Sequence, residues 1–118
     1  MPTFILTHWG RDRTRGRKLE LELLVRKLSR DTAVAYSMND RGLLKEGYLA
    51  DINIIDFDTL QLHRPEAIYD LPAGGRRLVQ RADGYKYVLK SGVTTFVDGE
   101  HTGELPGRLV RGAQRDAA

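Results

Sequence analysis

The side chains best suited to metal binding or acid–base chemistry are three histidines and a pair of aspartates, and their spacing is unfavourable. His8, His63 and His101 lie far apart in the chain, so neither a His-x-His pair nor an HExxH motif is present. Asp56 and Asp58 would share one face of a strand, although two exposed acids at a strand end are the simpler explanation. The chain also lacks cysteine, which excludes disulfides, thiolate nucleophiles and Cys-ligated zinc. The residues therefore predict no catalytic group and no metal ligand.

The basic stretch at residues 11–18 is a second candidate for function, because it carries five positive charges and one negative charge. Its balance of +4 leaves the rest of the chain at −1, since the formal net charge is +3. A nucleic-acid-binding arm would need a basic helix face or exposed aromatic rings beside it. The residues that follow instead include Glu20 and Glu22, which would repel phosphate. A solvated loop that precedes a helix needs no partner, and both interpretations stay open.

The elements that would position these residues begin with helices. No regular period is visible in residues 1–18, which are predicted to form a loop. Residues 19–28 are predicted to form a helix, with Glu22 and Arg26 as an i,i+4 ion pair. The apolar stripe of this helix is Leu21, Leu24, Val25 and Leu28. A second, short helix is expected to run to about Ser37, with Ser29 or Asp31 as its N-cap.

Strands are predicted from residue 50 onward. A buried strand follows Ala50, and a hairpin is predicted with Ser91-Gly92 as its two-residue turn. Residues 58–77 contain two prolines and a Gly-Gly pair, so they are predicted to form a long surface connection. About three or four strands are expected in all. The fold class is α+β, in a single domain of 118 residues without an apolar run long enough to cross a bilayer.

Residues 19–60, which read LELELLVRKLSRDTAVAYSMNDRGLLKEGYLADINIIDFDTL, resemble the end of the amidohydrolase superfamily. The matching features in this segment are Asp40-Arg41-Gly42, Gly47, Ala50-Asp51 and Asp56. Residues 70–112 are similar to the carboxyl end of N-acyl-D-amino-acid deacylases. The ordered series of motifs runs from Trp9 to Arg108, so the resemblance covers nearly the whole chain.

The resemblance implies a metal-dependent (β/α)8 barrel beside a small β-sandwich. Residues 1–38 would then be a loop, the last barrel helix and a short helix, residues 39–112 a partial β-sandwich, and residues 113–118 a frayed tail. The loop at residues 1–18 would lie near the end of the barrel that holds active sites. Arg11 and Arg13 would therefore border the substrate entrance, which suits a substrate with a carboxylate.

Several residues of the matching motifs are expected to shape turns and to carry no chemistry. Asp51 precedes a buried strand, where a short acid can accept hydrogen bonds from backbone N–H groups. Gly42, Gly47 and Gly99 suit left-handed turn positions. The remaining members of this set are Asp40 and Gly107.

The resemblance also implies an activity for a larger protein, which would hydrolyse the amide bond of N-acyl-D-amino acids with zinc or a similar divalent metal. The ligands of that metal would precede Met1, so this chain alone is expected to be an inactive structural segment without a cofactor. Its expected partners are the rest of the barrel and other copies of itself, in the cytoplasm, without a membrane and without nucleic acid. The alternative is a small binding module that uses residues 11–18 to contact an acidic or nucleic-acid partner.

Overall fold

A computed structural model describes residues 2–112, so the predicted frayed tail at residues 113–118 lies outside the described residues. The helical elements are α1 (Pro2–Phe4), which continues as a π-helix (Ile5–Asp12), α2 (Leu21–Leu28) and α3 (Arg30–Ala35). The strands are β1 (Ile52–Ile55), β2 (Gln61–Leu62), β3 (Glu66–Leu71), β4 (Gly75–Val79), β5 (Ala82–Asp83), β6 (Tyr85–Lys90), β7 (Val93–Val97) and β8 (Glu100–His101). The class is α+β, as the sequence predicts. No helix in this range is long and apolar enough to span a membrane.

The N-terminal segment is helical over residues 2–12, so the predicted loop at residues 1–18 is wrong for most of its length. Thr3, Leu6 and Thr7 are its buried residues, and their spacing of three and four is that of one helix face. The Thr7 hydroxyl donates to the carbonyl oxygen of Thr3 at 3.1 Å, which satisfies this polar group inside the helix. Two of the three inward positions are threonine, so the helical period is not visible as an apolar stripe.

The two predicted helices are confirmed, and α2 begins at Leu21. Only Leu24 of its apolar stripe is buried, whereas Val25 is 49% exposed. Arg26 pairs with Asp31 at 3.0 Å and not with Glu22, so the predicted ion pair is wrong. The reason is the turn between α2 and α3, which brings Asp31 within reach of both Arg26 and Lys27.

The main sheet has four antiparallel strands in the order β1-β6-β7-β8. The predicted hairpin of β6 and β7 is confirmed, and it pairs Lys90 with Val93 around the turn. Ser91 and Gly92 have φ angles of 52° and 81°, which are the positive values that a tight hairpin turn of the primed type needs. β1 pairs with the outer edge of β6, so the strand after residue 50 joins this sheet.

The predicted surface connection at residues 58–77 is wrong, because the described chain forms strands there. β2 pairs with β5, and β3 pairs with β4 through a turn of 3₁₀ helix at Pro72–Gly74. Residues 2–112 therefore contain eight strands, against the three or four that the sequence predicts. β3 and β4 contact mainly each other and form a hairpin arm, here defined as residues 64–80. Most residues of this arm are exposed on both faces, so it carries no alternating apolar pattern.

The hydrophobic core is small and lies between the helices and the sheet. Leu6, Leu24 and Leu60 form its buried centre, and Leu60 is fully inaccessible to solvent. The partly buried side chains around it are Ile5, Trp9, Leu28, Ile55, Phe57 and Tyr85. The radius of gyration is 16.4 Å, whereas a compact domain of this length is expected to have about 13.5 Å. The chain is therefore more extended than one well-packed domain.

Candidate functional site

Arg11 ties the N-terminal helical segment to the turn that follows β1. Its guanidinium donates to the backbone carbonyl oxygens of Phe57, Asp58 and Leu60, the last two at 3.0 and 2.7 Å. It also pairs with Asp12 at 2.7 Å, and this hydrogen bond raises the pKa of Arg11 and lowers that of Asp12. These donors are directed toward the protein itself, so the geometry assigns Arg11 a tethering role, and its predicted place at a substrate entrance stays a prediction.

Arg13 lies over the ring of Trp9, with 4.4 Å between its guanidinium carbon and the ring centroid. Its guanidinium also donates to the carbonyl oxygens of Arg15 and Arg17, which closes the loop after the first helical segment. His8 contacts Trp9 edge-on, with 5.4 Å between the ring centroids. Arg13 is therefore held by its own loop, and a role in contacting substrate also stays a prediction for this residue.

The basic stretch at residues 11–18 is partly engaged by the chain itself. Arg11 and Arg13 are held as described, and Arg17 pairs with Glu20 at 3.4 Å. Arg15 and Lys18 are exposed and take no ion pair within the described range. Two exposed cations without an ion pair, one of them attracted to Asp12, form a weak electrostatic surface for nucleic acid, where each neutralised phosphate contributes to affinity. The geometry therefore adds no support to the alternative of an acidic or nucleic-acid partner.

Asp51 is the centre of a polar cluster that connects the start of β1 to the β6–β7 turn. Its carboxylate accepts from the Lys90 ammonium at 2.8 Å, from the Ser91 backbone N–H at 2.9 Å, and from Arg41 at 3.4 Å. Burial by itself raises the pKa of Asp51, but Lys90, Ser91 and Arg41 together hold that pKa below its usual value. The residue does accept a backbone N–H, although the donor belongs to a turn forty residues away and not to its own.

Asp40 and Arg41 extend this cluster into the turn after α3. The Arg41 guanidinium donates to Asp40 at 2.9 Å, and this hydrogen bond lowers the pKa of the Asp40 carboxyl. The predicted turn glycines Gly42, Gly47 and Gly99 have φ angles of 85°, 82° and 85°. Gly107, the remaining predicted turn glycine, does not have a positive φ. Gly42, Gly47 and Gly99 therefore have the backbone conformation that favours glycine, whereas the turn-shaping roles of Asp40 and Gly107 stay predictions.

Gly84 is a structurally critical residue that the sequence reasoning missed. It has a φ of 90°, and a Cβ atom there would lie 2.7 Å from the Leu60 Cα and 3.0 Å from the Asp56 carbonyl oxygen. Its own carbonyl oxygen accepts the Asp56 N–H at 2.8 Å. The Asp56 carboxylate accepts the N–H groups of Asp58 and Thr59, so Asp56 and Asp58 lie in a turn and do not share a strand face. A lone glycine between two strands was the available signal for this close approach.

An open groove of about 1510 Å³ lies between α2, α3 and β1. Much of its wall is apolar, and several of these side chains remain exposed in the free chain. The exposed apolar side chains of the wall are Leu21, Val25, Val34, Leu43 and Leu44. A groove of this size and composition is typical of a surface that another apolar surface covers. We call it the α2–β1 groove.

The described residues do not form a metal site of the kind that the resemblance implies for the larger enzyme. No group of three or more potential ligand side chains comes together within residues 2–112. His63 pairs with Asp83 at 2.8 Å, which is one pair on an exposed edge. His8 stacks on Phe4, with 4.9 Å between the ring centroids, and His101 packs against Phe96. These donor sets do not fit a zinc ion, which needs three or four convergent ligands.

The amidohydrolase family matches residues 3–96, which span the N-terminal helical segment, both short helices and most of the main sheet. The chain belongs to the amidohydrolase family. No curated protein and no solved structure gives a significant match.

Proposed function

We propose that this chain is the C-terminal structural segment of an amidohydrolase that acts on N-acyl-D-amino acids, and that the chain alone does not hydrolyse the substrate. Two observations support the proposal together: the family match over residues 3–96 and the open α2–β1 groove. The match assigns the chain to the amidohydrolase family. The groove is the observation that supports the structural role, because an apolar wall that is open in the free chain suits a core that another part of the protein would complete.

The core of the chain is too small to account for its apolar side chains. Within residues 2–112 the buried core cluster consists of Leu6, Leu24 and Leu60, while Val34 and Leu44 in the groove wall are 51% and 84% exposed. In a complete α/β barrel, helices such as α2 cover strands and bury such a wall. We therefore propose that the rest of the barrel packs against this groove, with zinc or a similar metal held entirely by that other part.

The test is a hydrolysis assay on the purified full chain with N-acetyl-D-amino acids, with and without added zinc. The quantity measured is the free amino group that hydrolysis of the amide releases. We expect no release above the rate in buffer alone under either condition. The corresponding N-acetyl-L-amino acids serve as the control for background hydrolysis. Turnover of the D-isomers that depends on the protein would contradict the proposal, since the chain would then contain the reactive groups itself.

A second test reads the coding DNA upstream of the Met1 codon. We expect an in-frame region of several hundred codons that carries a His-x-His pair, because the proposal places the metal ligands in that part. An upstream region without such a frame would count against the barrel partner.

The absence of cysteine suits a reducing compartment, so we also propose the cytoplasm as the location, which cell fractionation can check.

A further inference from the structure

Two charged side chains that line the α2–β1 groove lack a partner among the residues that the structure describes. Arg26 pairs with Asp31, and Asp51 pairs with Lys90, so three of the five charged residues in the wall are satisfied. The two others are Glu22 and Arg30, and neither takes an ion pair or a side-chain hydrogen bond within the described part of the chain. The Nη1 atom of Arg30 is inaccessible to solvent and has no acceptor within residues 2–112, so an incoming carboxylate would bind the other nitrogens of this guanidinium group.

Any partner that covers the apolar wall must also supply opposite charges to Glu22 and Arg30. Leu21, Val25 and Val34 lie in the same wall as Glu22 and Arg30, so a partner that buries the former also removes water from the latter. A charge that loses water without gaining a partner opposes association. The occupant of the groove must therefore bring a cation to Glu22 and an anion to Arg30.

We propose that in the free chain the α2–β1 groove is covered by a second copy of the same chain, related by a two-fold axis. In a two-fold interface the same patch lies on both sides, so residue i contacts residue j and residue j contacts residue i. Glu22 of each copy would then pair with Arg30 of the other. A second copy meets both charge requirements by symmetry. This inference rests on the proposed function, because it needs the groove to be uncovered when the chain stands alone.

The positions of the two charges near opposite ends of α2 agree with this pairing. Glu22 lies in the first turn of α2 and Arg30 just after its end, at the start of α3. The eight residues of α2 span about 12 Å along the helix axis. When two copies of α2 lie antiparallel, the beginning of one helix is therefore level with the end of the other. Arg26 lies midway and would approach its own copy, but Asp31 already neutralises it at 3.0 Å. The apolar side chains Leu21 and Val25 would fill the space between the helices.

Sedimentation of the full chain and of charge-reversal variants tests the proposal. The wild-type chain is expected to form dimers, and E22R and R30E are each expected to weaken the dimer by about tenfold or more in Kd. The double variant E22R/R30E restores opposite charges across the interface and is expected to recover dimerisation to within about threefold of the wild type. E104R reverses an acid outside the groove and is the matched control, expected to leave the Kd unchanged.

E22Q and R30M remove the two charges without reversing them, and they replace the reversal variants if a reversed charge prevents folding. Far-UV circular dichroism checks that each variant is folded. A monomeric wild-type chain at high concentration would overturn the proposal, and so would a dimer that neither single variant weakens. A double variant no better than the singles would overturn it as well. These results are independent of the hydrolysis assay, so a failed dimer leaves the proposed function standing, and hydrolysis by the chain alone would remove that function by itself.

Discussion

At the scale of single residues, the arginines and aspartates of this chain connect backbone segments that are distant in sequence. Arg11 holds the turn after β1 through carbonyl oxygens of Phe57, Asp58 and Leu60. Asp51 holds the β6–β7 turn through the Ser91 N–H. Sequence motifs could identify Asp51 as a turn acid, because a short acid before a strand accepts local N–H groups. They could not identify its partners, since those lie about forty residues away and are set by strand pairing.

The first prediction concerns the polar cluster of Asp51. D51N removes the charge that faces Lys90 but keeps the shape of the side chain, and we expect it to lower the free energy of unfolding at neutral pH by about 1 to 3 kcal/mol. Because the pKa of Asp51 is lowered in the folded state, its contribution is fully present above the ordinary carboxyl pKa and is lost as the pH falls through the folded-state pKa. Urea unfolding at several pH values measures this.

The difference between wild type and D51N should therefore shrink as the solution is acidified from about pH 7 to about pH 3. Other carboxyls whose pKa is lowered but that share no partner with Asp51, such as Asp31 and Asp70, titrate in both proteins and cancel in the difference. A difference that stays constant over this range would mean that the Asp51 charge contributes nothing to stability.

The second prediction separates two reasons for glycine at a turn. Gly84 and Gly99 have similar φ angles of 90° and 85°, but only at Gly84 would a Cβ atom meet backbone, 2.7 Å from the Leu60 Cα. G99A is expected to cost about 1 to 2 kcal/mol from the left-handed backbone alone. G84A adds overpacking of about 1 to 3 kcal/mol against the fully buried Leu60. Equal losses in urea unfolding of the two variants would show that the close approach at Gly84 is unimportant.

At the scale of elements, the sequence predicts a helix or strand where its inward positions are visibly apolar. The hairpin of β6 and β7 was predictable because Ser91-Gly92 is a strong turn signal between two strand-like runs. The first helical segment was missed because Thr3 and Thr7 occupy two of its inward positions. The hairpin arm was missed because its strands are exposed on both faces, and Pro65 with Pro72 and Gly74 indicated a loop.

The third prediction concerns this hairpin arm, residues 64–80. Because the arm contacts mainly itself, its removal should change the stability of the rest by no more than about 1 kcal/mol. His63 and Arg81 are already joined by a backbone hydrogen bond of 3.0 Å, so an Asn-Gly turn can replace the arm between them. Circular dichroism and urea unfolding of the shortened chain measure the effect.

The ion pairs that this deletion removes belong to the arm or join it to Arg81. Asp70 pairs with Arg77 and Glu66 pairs with Arg81, and all four side chains are largely exposed. Exposed pairs of this kind contribute little to stability. A shortened chain that fails to fold, although its β6–β7 hairpin is intact in sequence, would show that the arm supports the core and is not a separate unit.

At the scale of the whole molecule, the family membership and the packing agree on one point. The chain contains elements of an amidohydrolase, and its apolar side chains are more numerous than its own core can bury. The composition could not predict this, because an ordinary hydrophobic fraction of 41% says nothing about how much of it is covered. The open groove can be recognised only when α2, α3 and β1 are placed together in the structure. In the sequence, the apolar face of each of these elements resembles the face that an ordinary helix or strand buries.

The last prediction follows from mass action on this groove. When folding is coupled to dimerisation, the melting temperature of the wild-type chain should rise by about 3 °C for each tenfold increase in protein concentration. L44E places a charge on a groove residue that is 84% exposed in the free chain, and it should abolish the concentration dependence. L78E changes an exposed leucine of the hairpin arm, 75% exposed and outside the groove, and should keep it. Differential scanning calorimetry across a concentration series measures all three proteins. If L78E and L44E lose the dependence equally, the contact between copies does not use the α2–β1 groove, because a groove contact would leave the arm free.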